Sequence, residues 1–270
     1  MINFLMICVG ILFFYGCSKN PEEGKKLQQS ALNAEAVRYG NSRIAMEAIG
    51  RAAQNNKYLF LFFYNKDDET CKKMAYVIEN AKSNLLSRAD FYSVDVADSG
   101  EAEVIKKYNV SLANLPLTIA IAPNGAITAG FPKVVTEEEL KNAFVSQGTE
   151  KVIKVVQEGK LALVCFQNKN TKNRKQALIA AEGLAKDKQF NGAVEIIELD
   201  PKDEKEKSLV ETCQVKSSNT ATIVFLIPPG RIIGKFDSER ISKDALMTTL
   251  VRSISSCGSS GSSCSPKGCR

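Results

Sequence analysis

No histidine occurs anywhere in the 270 residues. That absence removes Ser-His-Asp and Cys-His nucleophilic sites, imidazole proton relays and every metal site that needs an imidazole ligand. Concentrated charge of one sign is also missing. The net charge of +6 comes from Lys and Glu mixed along the chain, with no basic stripe interleaved with aromatics, which argues against nucleic acid as a partner. Nothing in the chain calls for a cofactor. What is present, 44% hydrophobic and 24% charged residues, suffices for one large domain or two of ordinary size, and two is the better reading.

The chain opens on an apolar segment, Met1 to Gly16, MINFLMICVGILFFYG, which is shorter than the roughly 20 residues of a straight spanning helix. It meets Cys17, followed by Ser18, Lys19 and Asn20, and reads as an export signal. Its end resembles a bacterial lipobox, in which a small residue, here Gly16, precedes a cysteine that is lipidated. The resemblance implies a lipid anchor on Cys17 and a cell-envelope protein facing the periplasm, with Ser18 favouring the outer membrane. A signal cleaved elsewhere and an uncleaved short anchor are the alternatives. Residues 17–41, rich in Lys, Gln, Glu and Ala, then read as a polar tether.

The rest is organised around Lys57 to Met74, KYLFLFFYNKDDETCKKM. Tyr58 to Tyr64 form an unbroken apolar and aromatic run, as expected of a strand buried on both faces. A polar, acidic loop follows, and from Cys71 the pattern turns helical, with Cys71, Met74, Ala75 and Ile78 on one face. Strand, short loop and helix with a cysteine in its first turn resemble the thioredoxin superfamily, whose fold carries a C-x-x-C pair there. Here the motif is Asp68-Glu69-Thr70-Cys71. Cys71 falls on the resolving cysteine, and Asp68 takes the place of the attacking one, where a carboxylate cannot attack a disulfide. The family's second landmark is matched by Asn109 to Ile127, NVSLANLPLTIAIAPNGAI. By resemblance Pro116 is a cis-proline facing the loop, with Leu115 offering backbone to an extended peptide. An ordinary trans proline opening a strand is the alternative.

Around these landmarks lie a helix with Ile44, Ala48 and Ala52 at helical spacing, stopped by Asn55-Asn56, and a strand Asp90 to Val96. A helix around Glu101 to Tyr108 follows. Leu117 to Ala122 and Ala126 to Ala129 pair about Pro123-Asn124-Gly125, and a Thr136/Glu139 capping box opens a helix carrying Leu140 and Phe144.

The second half repeats the first. KLALVCFQNK, Lys160 to Lys169, matches Lys57 to Lys66 at an offset of 103; Asp200, Cys213-Gln214-Val215, Gly230 and Phe236 match Asp95, Tyr108-Asn109-Val110, Gly125 and Phe131 at 105. Arg174 stands at the place of Cys71, Thr171 at that of Asp68 and Ala221 at that of Pro116. The chain is therefore α/β, read as two tandem thioredoxin-like domains, each a mixed sheet flanked by helices. They cover residues 42–150, with DxxC in place of CxxC, and 151–256, the more degenerate copy, followed by a Gly/Ser/Cys-rich tail, 257–270.

Sulfur is left to sort. Cys165 and Cys213 read as small buried hydrophobes. Cys257, Cys264 and Cys269 lie where no apolar neighbours could bury them, so disulfides in an oxidising compartment are preferred over metal, with connectivity open. At Cys71 the helix N-terminus with Lys72 and Lys73 favours a thiolate, whereas Asp67, Asp68 and Glu69 oppose it and the helical period turns the sulfur inward. The acidic residues also suit an N-cap. The favoured reading is a membrane-tethered binding or scaffold protein that holds an envelope protein or peptide beside Asp68, Leu115 and Pro116. The alternatives are monothiol exchange or redox sensing through Cys71, and a metal or thiol-ligand carrier using the tail.

Overall fold

A computed structural model describes residues 44–190, 192–216, 219–237 and 240–257, the last four without their side chains. Cys17 and the tail residues Cys264 and Cys269 lie outside them, as does the side chain of Cys257. The chain forms two compact units, divided between Lys154 and Val155.

In the first domain, α1 (Ala45–Gln54) buries Ala45, Ala48 and Ala52 and ends at Asn55, with Asn56 left-handed at φ 53°. The central strand β1 (Tyr58–Tyr64) has the bounds expected from its apolar run, and all but Tyr64 are buried. Next come α2 (Glu69–Leu85), β2 (Ala89–Asp95), a 3-10 turn at Ser99–Glu101 and α3 (Ala102–Lys107). Strands β3 (Leu117–Ile121) and β4 (Ile127–Phe131) and the short α4 (Glu137–Lys141) complete the first domain, and α5 (Gln147–Gln157), which spans the division between the units, answers α1 at the offset of 103. The sheet order is β2-β1-β3-β4, with β2 parallel and β3 antiparallel to β1. A residue's face follows from the pleat. Phe60, Phe62 and Ala120 join Cys71, Met74 and Ile78 of α2 on one side, and Leu59, Leu61, Phe63 and Ile119 join α1 and α3 on the other.

Several bounds differ from the sequence reading. β2 starts and ends one residue earlier, because Ala89 is fully buried and registers with Tyr58. The Glu101 to Tyr108 stretch begins as a 3-10 turn capped by Asp98, whose carboxylate accepts from Gly100 N at 2.9 Å. The hairpin strands run Leu117–Ile121 and Ile127–Phe131, because the turn takes more residues than expected. Pro123 and Asn124 form its centre, Gly125 N donates to Ala122 O, and left-handed Gly125 (φ 82°) closes it. The capping box of α4 is present, Thr136 Oγ1 accepting from Glu139 N, but the helix stops at Lys141 and Phe144 follows it. There Phe144 packs edge-on against Tyr58 and Phe60.

The second domain repeats this plan with β5 (Leu161–Phe166), α6 (Arg174–Ala185), β6 (Val194–Leu199), α7 (Lys207–Thr212), β7 (Thr222–Ile227), β8 (Arg231–Asp237) and α8 (Lys243–Cys257), in the sheet order β6-β5-β7-β8. The duplication extends to backbone conformation. Asn109 and Gln214 are both left-handed at φ 51°, Gly125 and Gly230 both have positive φ (82° and 124°), and the turns at Ser99–Glu101 and Glu204–Glu206 are capped by Asp98 and Asp203. Each half is thus a thioredoxin-like α/β domain: a central strand with a parallel and an antiparallel neighbour, a hairpin edge, and helices on both faces.

Candidate functional site

The carboxyl end of β1 feeds a four-residue loop, Asn65 to Asp68, shaped by its own polar side chains. Asn65 Oδ1 accepts from Asp67 N at 3.1 Å, and Lys66 Nζ pairs with Asp95 at 2.9 Å. Asp68 is the N-cap of α2: its Oδ1 accepts from Thr70 N at 2.6 Å and from Cys71 N at 3.0 Å. Those two donors, Cys71 N first, hold its carboxyl below the usual carboxylate range. At the place of the family's attacking sulfur there is thus an oxygen already committed to the helix.

Cys71 is 2% exposed and packs with Met74 and Ile78 in the α2 core. Desolvation raises its pKa, and the Asp68 charge adds to the rise, against a lowering contact from the Asn65 backbone. The opposing influences legible in the sequence are therefore resolved by burial, away from the thiolate. Cys165 and Cys213 are buried, free, and pushed up to about 12, chiefly by desolvation. Among the described residues no three His, Cys, Asp or Glu side chains come together as a metal site.

The Leu115–Pro116 peptide is cis. Asn114 is exposed, Leu115 half-buried against the same core as Cys71, and Pro116 buried. Among the described residues no group hydrogen-bonds the backbone of Asn114 or Leu115. The segment leading into this edge also lines a groove of about 390 Å³, with Val96, Ile105 and Leu112 supplying apolar surface and Asp98 and Lys106 charge. Leu112 is 84% exposed, the most exposed of the large hydrophobic side chains described.

The corresponding place in the second domain is built differently. Burial repeats at the offset of 103, Met74, Ile78 and Ala81 being answered by Ala177, Ala181 and Leu184, so Arg174 does stand at the position of Cys71. It is exposed and pairs with Glu198 at 3.4 Å. Thr171 is buried, its hydroxyl accepting from Asn168 N at 2.9 Å. Helix α6 begins at Arg174, so Lys172 and Asn173, aligned with the helical Glu69 and Thr70, are not wound into it. Lys172 instead forms a parallel bridge to Thr220: its N–H donates to Asn219 O at 2.9 Å, and Ala221 N donates to Lys172 O at 3.0 Å.

Two features of this region were not read from the sequence. One is the Lys172 bridge. The other is Glu101, 6% exposed, whose Oε1 accepts from Tyr92 OH at 2.8 Å and whose Oε2 accepts from Ala45 N at 3.0 Å, fixing the start of α1. The repeated Asp-x-x-Glu, Asp98 to Glu101 and Asp203 to Glu206, is the signal that marks it.

No family model matches the chain, and no curated protein matches it. Solved structures similar to it include the first two thioredoxin domains of Naumovozyma dairenensis Eps1p, at 12% identity over 80% of this chain and 97% of that one, with a TM-score of 0.31. The same two domains of Saccharomyces cerevisiae Eps1p give 13%, 80%, 98% and 0.31. Oxidized thioredoxin O2 from Arabidopsis thaliana gives 20% identity over 36% of this chain and 81% of that one, also at 0.31. Similarities at this level carry nothing about activity. The fold and the site themselves define the class: a tandem thioredoxin-like α/β protein in which the first domain keeps one buried cysteine at the redox position and the second keeps none.

Proposed function

We propose that this is a membrane-anchored cell-envelope protein whose thioredoxin-like domains bind or scaffold a partner and do not cycle thiols. The observation that carries this reading is Cys71, 2% exposed behind an Asp68 carboxylate that caps its helix. Disulfide exchange needs an accessible thiolate and a second sulfur to resolve the mixed disulfide; this loop offers neither. What it leaves available is the backbone at Asn114 and Leu115, beside exposed Leu112. Backbone without a hydrogen-bond partner among the described residues, next to an apolar contact, suits an extended segment of a partner polypeptide, held by main-chain hydrogen bonds. The anchor on this reading is a lipid on Cys17.

Reduction of insulin by the full chain with a dithiol donor is the test. No turnover is expected, while reduced, carboxymethylated α-lactalbumin, a permanently unfolded probe, should slow amide exchange in residues 109–117. Repeated catalytic turnover would overturn the proposal.

A further inference from the structure

We infer that the second domain is closed to extended segments by its own chain, residues 171–173 filling the place that the first domain leaves open. The inference rests on the binding role given above to the Asn114–Pro116 edge. In the second domain the aligned stretch, Asn219 to Ala221, is already engaged. Lys172 lies beside it as a single strand-like residue, with its N–H on Asn219 O at 2.9 Å and its C=O receiving Ala221 N–H at 3.0 Å.

Two sequence changes make this closure possible, and each is the reverse of what the first domain has. Ala221 supplies an N–H where Pro116 has none. Helix α6 starts at Arg174, so Lys172 is free to extend, whereas the aligned Glu69 is wound into the first turn of α2 and its place on the helix is fixed by the Asp68 cap. Thr171 holds the unwound loop in shape through Asn168, with its N–H on Asn168 O at 3.1 Å and its hydroxyl on Asn168 Oδ1 at 3.1 Å. After Lys172 the chain is held by α6, whose Ala177 N–H donates to Asn173 O at 3.0 Å, so the segment is pinned on both sides. One chain then takes one extended segment, at the first domain.

Hydrogen exchange of the full chain, read by mass spectrometry, tests this with and without reduced, carboxymethylated α-lactalbumin. Without the probe, the Lys172 and Ala221 amides should exchange at least about tenfold more slowly than exposed loop amides such as those of Lys169 and Asn173. With it, residues 109–117 should gain protection and residues 219–224 should not change. In Ala221→Pro, which removes the N–H that Lys172 O accepts, the bridge should open, the Lys172 amide should lose its protection, and the probe should then slow exchange in residues 219–224. Should that variant unfold, seen as loss of protection throughout β5 and β7, the unsubstituted chain still decides: a Lys172 amide exchanging as fast as the loop refutes the closure. Equal probe-induced protection of 109–117 and 219–224 in the unsubstituted chain refutes it too. Probe protection in neither place overturns the binding role of the first domain, and leaves the closure to be judged by the Lys172 amide alone.

Discussion

Cys71 lies in the first turn of α2 and is 2% exposed. A helix N-terminus and two lysines pull toward thiolate, but each acts on exposed charge, whereas burial acts on the sulfur itself and raises its pKa. Titration of the native chain with an aromatic disulfide reagent should leave Cys71, Cys165 and Cys213 unlabelled until denaturant is added, with all three labelled afterwards; mass mapping of the labelled peptides checks it. Asp68 carries a second prediction, with a definite sign. Its folded-state pKa is lowered, so its contribution to stability is present above the unfolded carboxylate value of about 3.9 and is lost as pH falls through the folded value. Asn caps a helix about as well but does not titrate. Asp68→Asn should therefore be close to the unsubstituted chain in urea midpoint at pH 6, and should lose less stability between pH 5 and pH 2. Parallel acid dependence in the two chains would mean the carboxylate's charge does not matter there.

The elements most legible in the sequence are those whose signal is local. β1 has seven apolar residues in a row and needs no context, and the Thr136/Glu139 box announces α4 through side chains that bond to the adjacent backbone. Boundaries set by distant partners were not legible. The start of β2 is decided by pairing with Tyr58 across 31 positions, and the Lys172 bridge depends on Asn219 and Ala221 nearly 50 positions on. The start of α1 is of the same kind. Its N-cap, Ile44, offers no side-chain bond, and the orphan Ala45 N–H is met by Glu101. Removing that carboxylate takes away the acceptor of one buried amide and of one tyrosine hydroxyl. Glu101→Ala should cost about 2–6 kcal/mol of stability, at roughly 1–3 kcal/mol for each of the two bonds lost. Glu101→Gln, which keeps one acceptor oxygen, should cost visibly less. Equal urea midpoints for Glu101→Ala and the unsubstituted chain would show that water meets both groups.

For the molecule as a whole, the tandem plan was legible because a repeat is a comparison of the chain with itself, and strand patterns, turn glycines and the Asn109/Gln214 pair recur at nearly constant offset. That the second copy is the more degenerate was legible too, in Arg174, Thr171 and Ala221, but the Lys172 bridge was not, since it depends on one helical turn left unwound. Where the molecule works is a separate matter, which the proposed function assigns to the residues before 44. No helix among the described residues is long and apolar enough to cross a membrane. The proposed attachment at Cys17 makes a specific demand on energetics. Each buried methylene contributes about 0.8 kcal/mol, so an acylated chain holds to a bilayer far more firmly than the unmodified, signal-free chain. Expressed in a bacterium fed radiolabelled palmitate, the full chain should carry label and sediment with membranes after an alkaline carbonate wash. Cys17→Ala should carry no label. If that variant also sediments fully, the apolar segment Met1 to Gly16 is itself the anchor, uncleaved, and lipid on Cys17 is not what holds the protein to the envelope.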